Sequence, residues 1–345
     1  MKTALSFDDV LLVPQYNEVA SRKDTDTSTK ISKHLTLKIP VISSCMDTVT
    51  GVEMAVAMWH RGGLGILHRY NTIEQQLDMY SKVKNWGSNP TDCAIAVGST
   101  GDYFERTAGL VEAGANIICI DVAHGDSLVA IEATRRLRKS FPHITIIAGN
   151  VATGEGCARL IDAGADAVRA GIGGGSLCTT RIMTGHGVPT LQTIFDCYEY
   201  LMARKYDDFC ILADGGIKSG GDVVKSIAAG ASGVILGQLL AATDETPGEL
   251  VDTPNGMFKQ YRGMSSYGAQ AQWRPEKRGE IVPEGEDTML PYKGSVNEVL
   301  HNLIGGLRSG MTYSNSRTLK ELKNNSEFRQ ITVAGWAESK PHAKQ

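Results

Sequence analysis

Short apolar runs rich in isoleucine and valine alternate with longer amphipathic segments along most of the chain. Eight of these runs predict β-strands, at residues 39–43, 64–67, 94–97, 117–120, 145–148, 167–170, 210–213 and 233–236. The runs are continuously apolar rather than alternating, which is typical of parallel strands that are buried on both faces.

The intervening segments have helical periodicity and predict helices, for example at residues 72–84, 103–113, 127–139, 154–163 and 222–229. Several of them end in Ala-Gly-Ala, and glycine commonly ends a helix. Eight repeated strand–helix units predict a parallel sheet closed into a (β/α)8 barrel, or TIM barrel. A chain of 345 residues is compatible with one such domain, so we expect residues 1–345 to form a single catalytic barrel domain.

Several segments fall outside this rhythm. Residues 21–36 are polar and predict an excursion over the surface. After strand eight, residues 265–293 are rich in glycine, glutamate, proline and arginine, which indicates a flap insertion at the rim of the active site. A disordered loop without a role is the alternative. Residues 296–308 and 318–324 then predict the last helices, and the polar tail 338–342 predicts an extended end.

Polar and glycine residues cluster where the predicted strands end. The active sites of such barrels lie at the carboxyl ends of the strands. The residues found there are Ser44 and Met46, Arg69, Asp121 and Ala123, Asn150, Asp214 and Gly216, and Gly237. Turns from strand to helix use glycine, aspartate and asparagine in any case, which explains single loops better than the whole set.

The loop after strand six, residues 171–181, carries glycines ahead of Cys178 and two threonines. Its backbone N–H groups can surround a phosphate and its carbonyls can face a cation. Cys178 would then lie at the reactive end of a bound ligand, as a nucleophile. The alternative is a tight turn followed by a small buried thiol. Glycine loops after strands seven and eight, with Asp214 for a ribose diol, indicate a nucleoside monophosphate or a sugar phosphate.

Composition excludes several other classes of function. A net charge of −3 without a long basic run argues against nucleic-acid binding. No apolar run is long enough for a membrane span and no signal pattern begins the chain, so we expect a cytoplasmic protein. The seven cysteines form no CxxC pair, which favours reduced thiols over disulfides or structural zinc.

Five motifs, in this order and at these strand ends, resemble the IMP dehydrogenase/GMP reductase family along nearly the whole chain. They are residues 44–49, 149–151, 171–181, 213–217 and 261–264. The resemblance implies a barrel, usually a homotetramer, that binds a purine 5′-monophosphate with C2 beside Cys178. It further implies that a nicotinamide cofactor lies near Asp121, Ala123 and Arg69, and that the carbonyls of Gly173, Gly175 and Cys178 bind potassium.

By the same resemblance, Cys178, Thr180 and Glu284 are the catalytic residues. Phosphate contacts are implied for Ser176, Gly216 and Gly237, ribose contacts for Asp214, and base contacts for Met264 and Ser265. The remaining substrate contacts implied are Ser44, Met46, Asn150, Arg169, Gly175, Tyr261, Gly263 and Gly285.

Several features favour the reductase branch, which turns GMP into IMP with NADPH. Residues 84–90 lead directly to strand three, without the paired CBS module that is usual in dehydrogenases. The flap lacks the Arg-Tyr pair with which dehydrogenases activate water, and the loss of such a base costs about 10² to 10⁴ in rate. Met264-Ser265-Ser266 and Asp121-Val122-Ala123 also resemble reductases.

Other features resemble dehydrogenases, which oxidise IMP to XMP with NAD. They include residues 70–76 and the Glu338-Ser339 tail, while Arg274, Lys277 or Arg278 could replace the missing pair. Arg69, Gly174, Gln238, Ile281 and Pro283 depart from the family pattern. GMP reductase is therefore our prediction and IMP dehydrogenase the alternative. A catalytically silent barrel or a flavin- or sugar-phosphate-binding barrel would not need Cys178.

Overall fold

The structure is a computed structural model that describes residues 3–88, 90–339 and 341, without the side chain of Lys277. Eight parallel strands form a closed barrel in which each strand pairs with the next along the chain and the eighth pairs with the first. They are β1 (Val41–Ser43), β2 (Leu64–Leu67), β3 (Ala94–Val97), β4 (Ile117–Asp121), β5 (Thr145–Val151), β6 (Ala167–Ala170), β7 (Cys210–Asp214) and β8 (Gly233–Leu236). The predicted (β/α)8 barrel is confirmed.

Helices surround the barrel and connect its strands. They are α1 (Val52–His60), α2 (Ile73–Lys84), α3 (Tyr103–Glu112), α4 (Leu128–Ser140), α5 (Gly154–Asp162), α6 (Thr180–Thr184), α7 (Thr190–Ala203) and α8 (Gly220–Ala228). Those after β2, β4, β5 and β7 begin where a serine or threonine oxygen accepts a backbone N–H bond, at Thr72, Ser127, Thr153 and Ser219. None of the described helices is long and apolar enough to span a bilayer.

Residues 21–36 do not run over the surface as predicted. Thr29–Lys30 and Thr36–Leu37 form a small hairpin whose Ile31 and Leu35 are buried together with the inward-facing residues of the barrel. The Thr29 hydroxyl donates to the carbonyl of Ser232, which lies at the amino-terminal end of β8. The prediction failed because only a few apolar residues in a polar segment do the burying. The hairpin closes the amino-terminal end of the barrel.

After β8 the chain forms a three-stranded antiparallel sheet, β9 (Val251–Thr253), β10 (Gly256–Arg262) and β11 (Asp287–Pro291). Within the predicted flap lie α9 (Tyr267–Trp273) and a 3-10 turn, Pro275–Glu280. The end of the predicted flap is therefore a paired strand. The final helices are α10 (Val296–Tyr313), α11 (Leu319–Asn325) and α12 (Val333–Glu338), so Glu338 ends a helix rather than an extended tail; Lys340 and His342 lie outside the described residues.

Helix α1 approaches β2 closely because Gly65 has no side chain. A Cβ added to Gly65 would lie 2.6 Å from the Cα of Ala55. We predict that Gly65→Ala lowers the free energy of unfolding by about 1–3 kcal/mol through overpacking. Urea unfolding followed by circular dichroism measures this.

The matched control is Gly87→Ala, since nothing lies within 4 Å of a Cβ at Gly87. Equal midpoints for the two variants would contradict the close approach of α1 to β2.

Candidate active site

A cleft opens over the carboxyl ends of the barrel strands. Most of the predicted site residues line it, in a space of about 310 Å³ that is typical of small-molecule sites. They are Ser44, Met46, Arg69, Asp121, Ala123, Asn150, Arg169, Gly173, Gly175, Ser176, Cys178, Thr180, Asp214, Tyr261, Gly263, Met264 and Ser265. Gly216 and Gly237 line an adjoining pocket that shares Ser176 and Asp214 with the cleft. Glu284 and Gly285 contact the cleft residues from the segment before β11.

A cysteine, a threonine and a glutamate form a continuous chain of contacts at the floor of the cleft. The Cys178 sulfur lies 3.1 Å from the Thr180 hydroxyl, which donates to a Glu284 carboxylate oxygen at 2.8 Å. The sequence separates Thr180 from Glu284 by 104 positions. This geometry allows a proton to move between the carboxylate and a group bound at the thiol.

Backbone pairing holds this chain together. The Thr179 N–H donates to the Glu284 carbonyl at 2.9 Å, and the Glu286 N–H donates to the Leu177 carbonyl at 3.0 Å. Gly285 is buried between them, and the Glu284 N–H donates to the Ser265 carbonyl at 3.1 Å. The glutamate is therefore fixed to the cysteine loop by the main chain, although its side chain comes from the predicted flap.

Cys178 differs from every other cysteine in its environment. The other six are buried, whereas Cys178 is partly exposed in the cleft. Burial raises the pKa of Cys93 and of Cys210 to about 12, so these thiols stay protonated at neutral pH. Reactive cysteines are accessible and buried structural ones are inert, so Cys178 alone among the seven has the exposure that a nucleophile needs.

Glycines shape the loop that carries the thiol. Gly171 has φ +143°, and a Cβ there would lie 2.1 Å from the Asp214 carbonyl oxygen. Gly173 has φ +81°, a left-handed conformation that favours glycine. The Gly175 carbonyl accepts the Cys178 N–H at 3.1 Å. The β6 loop can therefore fold tightly against the end of β7.

The guanidinium of Arg169 crosses the mouth of the barrel between two carboxylates. It donates to Asp121 at 2.6 Å and to Asp214 at 2.7 Å, and only 5% of Arg169 is exposed. Gly149 on β5 leaves room for it, because a Cβ there would lie 2.6 Å from that of Arg169. Burial favours a higher pKa for the Asp121 carboxyl, but Arg169 and Arg69 outweigh it and hold that pKa below its usual range.

Asp214 is oriented so that one carboxylate oxygen is committed and the other is open. Its Oδ2 accepts from the Asn150 amide at 2.9 Å and from Arg169 through both Nε and Nη2. No protein donor to its Oδ1 occurs among the described residues. A carboxylate oxygen presented in this way can accept hydroxyl donors from a ligand.

Sequence reasoning missed an aromatic contact between the rim and the flap. Tyr70 lines the cleft, and its ring stacks on that of Trp273 in α9 with centroids 5.7 Å apart. At the flap base, Arg262 forms an ion pair with Asp47 and donates to Gln272 at 2.7 Å. Tyr70 follows Arg69 in the same predicted rim loop, which was a usable signal; nothing in the sequence pairs it with Trp273.

Comparison with known proteins agrees with this arrangement. Residues 4–342 match the model of the IMP dehydrogenase / GMP reductase domain. The chain belongs to the IMP dehydrogenase/GMP reductase family. It is thus an oxidoreductase of purine metabolism, in a family that uses a nicotinamide cofactor.

Named relatives come from both branches of this family. The IMP dehydrogenase of Nitrosopumilus maritimus is 34% identical over 99% of this chain and 98% of its own, and that of Cryptosporidium parvum is 40% identical over 98% and 94%. The solved GMP reductase of Trypanosoma brucei, in complex with guanosine 5′-monophosphate, is 30% identical with a TM-score of 0.90, covering 99% of this chain and 98% of its own. The alignments with the two dehydrogenases span 473 and 385 positions, so these two relatives differ in how many residues they have beyond those of this chain.

We predict that a disulfide reagent such as 5,5′-dithiobis(2-nitrobenzoate) modifies one thiol rapidly in the native protein, because six of the seven cysteines are buried. Release of the coloured thiolate counts the reacted groups, and denaturant should expose all seven. Cys178→Ala should remove the rapid phase. A rapid phase that persists in Cys178→Ala would place the reactive thiol elsewhere.

Proposed function

We propose that this protein is a GMP reductase, which converts GMP to IMP and ammonia with NADPH through a covalent adduct on Cys178. The observation that carries the proposal is the Cys178–Thr180–Glu284 chain in a cleft to which, among the described side chains, the flap contributes no arginine or lysine. This arrangement supplies a nucleophile and a proton donor, but no arginine or lysine from the flap that could help to activate water.

The residues around the cleft support one orientation of the bound nucleotide. Its phosphate would meet the backbone N–H groups of the glycine loops, with the hydroxyls of Ser176 and Tyr261, which lie 3.2 Å apart. Its ribose hydroxyls would donate to the open oxygen of Asp214. Met264 and Ser265 line the same cleft as Cys178, so a purine ring held between them would have its C2 within reach of the sulfur.

The proposed reaction has two stages, formation of a covalent adduct on Cys178 and then its reduction. The Cys178 sulfur bonds to C2 while the bond from C2 to the amino nitrogen breaks, and Glu284, through Thr180, delivers a proton to the departing ammonia. A bound reduced nicotinamide supplies the hydride that C2 accepts. The sulfur then leaves C2 as the thiolate. In total, GMP, NADPH and two protons give IMP, NADP⁺ and ammonium.

The dehydrogenase outcome requires hydrolysis of the adduct, and the described flap residues place no arginine or lysine in the cleft to activate water for it. Arg274 and Arg278 are exposed and do not line the cleft, and the side chain of Lys277 lies outside the described part of the chain. The loss of a general base costs about 10² to 10⁴ in rate. Slow hydrolysis favours release of the adduct by reduction.

The remainder of the cleft suits a nicotinamide. Beyond the thiol it is lined by Arg69, Asp121 and Ala123. The Asp121 carboxylate can accept the N–H groups of a carboxamide, and Arg69 lies 3.3 Å from it. We include in the proposal a potassium ion on the carbonyls of Gly173, Gly175 and Cys178, a homotetramer and a cytoplasmic location, all of which rest on family membership.

IMP dehydrogenase, which oxidises IMP to XMP with NAD, is the second candidate. Curated relatives that carry this name are 32–40% identical to the chain over nearly its full length. The Cys178–Thr180–Glu284 chain would then activate the hydrolytic water in place of an Arg-Tyr pair.

We predict that the purified protein oxidises NADPH in the presence of GMP, seen as a loss of absorbance at the NADPH band, with IMP and ammonia as products. IMP with NAD⁺ should give no comparable rise. XMP formed faster than IMP, in assays at matched enzyme and substrate, would establish the dehydrogenase instead.

Removal of the central hydroxyl should break proton transfer. We predict that Thr180→Val lowers kcat by about 10² to 10⁴ with little change in nucleotide affinity, because Glu284 loses its contact to the thiol. Thr180→Ser should retain most activity. Calorimetric GMP binding to Cys178→Ala gives the reference for a site that binds without turnover. Normal kcat in Thr180→Val would remove the threonine from the mechanism.

A further inference from the structure

Beneath the cofactor end of the cleft lies a buried guanidinium to which the mechanism gives no role. Arg106 in α3 is only 2% exposed, and no atom of it lines the cleft. It donates to the side chains of Asn71, Gln76 and Asp102 at 3.1, 2.9 and 2.7 Å. It also donates to the Asn71 carbonyl at 2.9 Å and to that of Thr72 at 3.4 Å. Nearly all of its donors are used, and most acceptors belong to one loop.

The side-chain amides of Asn71 and Gln76 connect Arg106 to the start of the rim loop. The amides of Asn71 and Gln76 both donate to the His68 carbonyl, at 3.1 and 2.9 Å, and Gln76 also donates to the Ala96 carbonyl of β3 at 2.8 Å. Both side chains are buried. The loop 68–72 is therefore tied from below at its first residue and its last two, and the barrel itself provides the anchor.

The residues between these ties are the ones that face the cofactor and the flap. Arg69 reaches Asp121 at 3.3 Å, with its guanidinium 5.4 Å from the centre of the Tyr70 ring. Tyr70 stacks on Trp273 in α9. A shift of the loop would thus move an ion pair of the cofactor end and the flap contact together.

An arginine is suited to this task because its planar fork holds several acceptors in fixed directions. A buried charge is tolerated only when its donors are satisfied, so the loop has one favourable position relative to α3. Loss of the guanidinium would leave the Asn71 and Gln76 oxygens without a donor among the described residues.

We propose that Arg106 is a positioning residue for the dinucleotide half of the site, acting through loop 68–72 on Arg69 and Tyr70. The inference rests on the nicotinamide chemistry common to both candidate functions and not on the choice between them. The proposal predicts different effects on the two substrates, because the half of the cleft that would bind the purine nucleotide is built from other loops.

Arg106→Met removes the donors and keeps most of the volume. We expect kcat/KM for the dinucleotide to fall about 10- to 100-fold through KM, since small displacements remote from the chemistry have effects of this size. KM for the purine nucleotide should stay within about twofold, and Arg106→Lys should recover part of the loss, because an ammonium still offers three donors.

The matched control is Arg138→Met. Arg138 likewise donates to three carbonyls and a carboxylate, Asp166, but at the amino-terminal ends of β5 and β6. It should lower the melting temperature without changing either KM. Equal dinucleotide KM in Arg106→Met and wild type, or equal rises in both arginine variants, overturns the positioning role.

If Arg106→Met does not fold, Asn71→Ala decides, because it cuts one link from Arg106 to the loop and one from the loop to His68. An unchanged dinucleotide KM in that variant refutes the proposal. Direct NADPH binding, followed by its fluorescence, gives the same comparison without turnover. A wild type inactive with both substrate pairs would refute the proposed function alone.

Discussion

One buried cation organises the mouth of this barrel. Arg169 comes from the interior of β6 and holds Asp121 and Asp214, which end strands on either side of it. A guanidinium with this little exposure is stable only when carboxylates meet it, and two carboxylates this close would repel each other without it. The two halves of the cleft are therefore set relative to each other by a single side chain, and Asp214 keeps an Oδ1 that accepts no hydrogen bond from the described residues.

The contact of Cys178 and Thr180 with Glu284 depends on a different principle, which is main-chain pairing between distant segments. The cysteine loop and the segment before β11 exchange backbone hydrogen bonds, and these place the carboxylate of Glu284 within reach of Thr180. Main-chain bonds do not depend on the identity of the side chains around them. The outer part of the flap can consequently vary in sequence and length without moving the glutamate.

The sequence was informative wherever one residue carried its own signal. Continuous apolar runs located the eight strands to within a few residues, and glycine-rich strand ends located the rim. Partnership was harder to predict, because Thr180 and Glu284 are far apart in the chain and meet only after the barrel closes. The hairpin near Ile31 and the stacking of Tyr70 on Trp273 were missed for the same reason: each depends on one or two side chains whose burial is decided by distant neighbours. Branch identity was left open because the residues predicted to be catalytic are expected in both branches, and the expected difference lies in the flap.

The hairpin at the amino-terminal end of the barrel has a consequence for how ligands enter and leave the cleft. The hairpin that carries Ile31 and Leu35 packs against the buried residues at that end, whereas the cleft opens at the other end of the strands. Substrate and product would then use the same opening, and a slowly released product would delay the next turnover as effectively as slow chemistry. A compound bound across the opening of the cleft would block both reactants at once without resembling either of them.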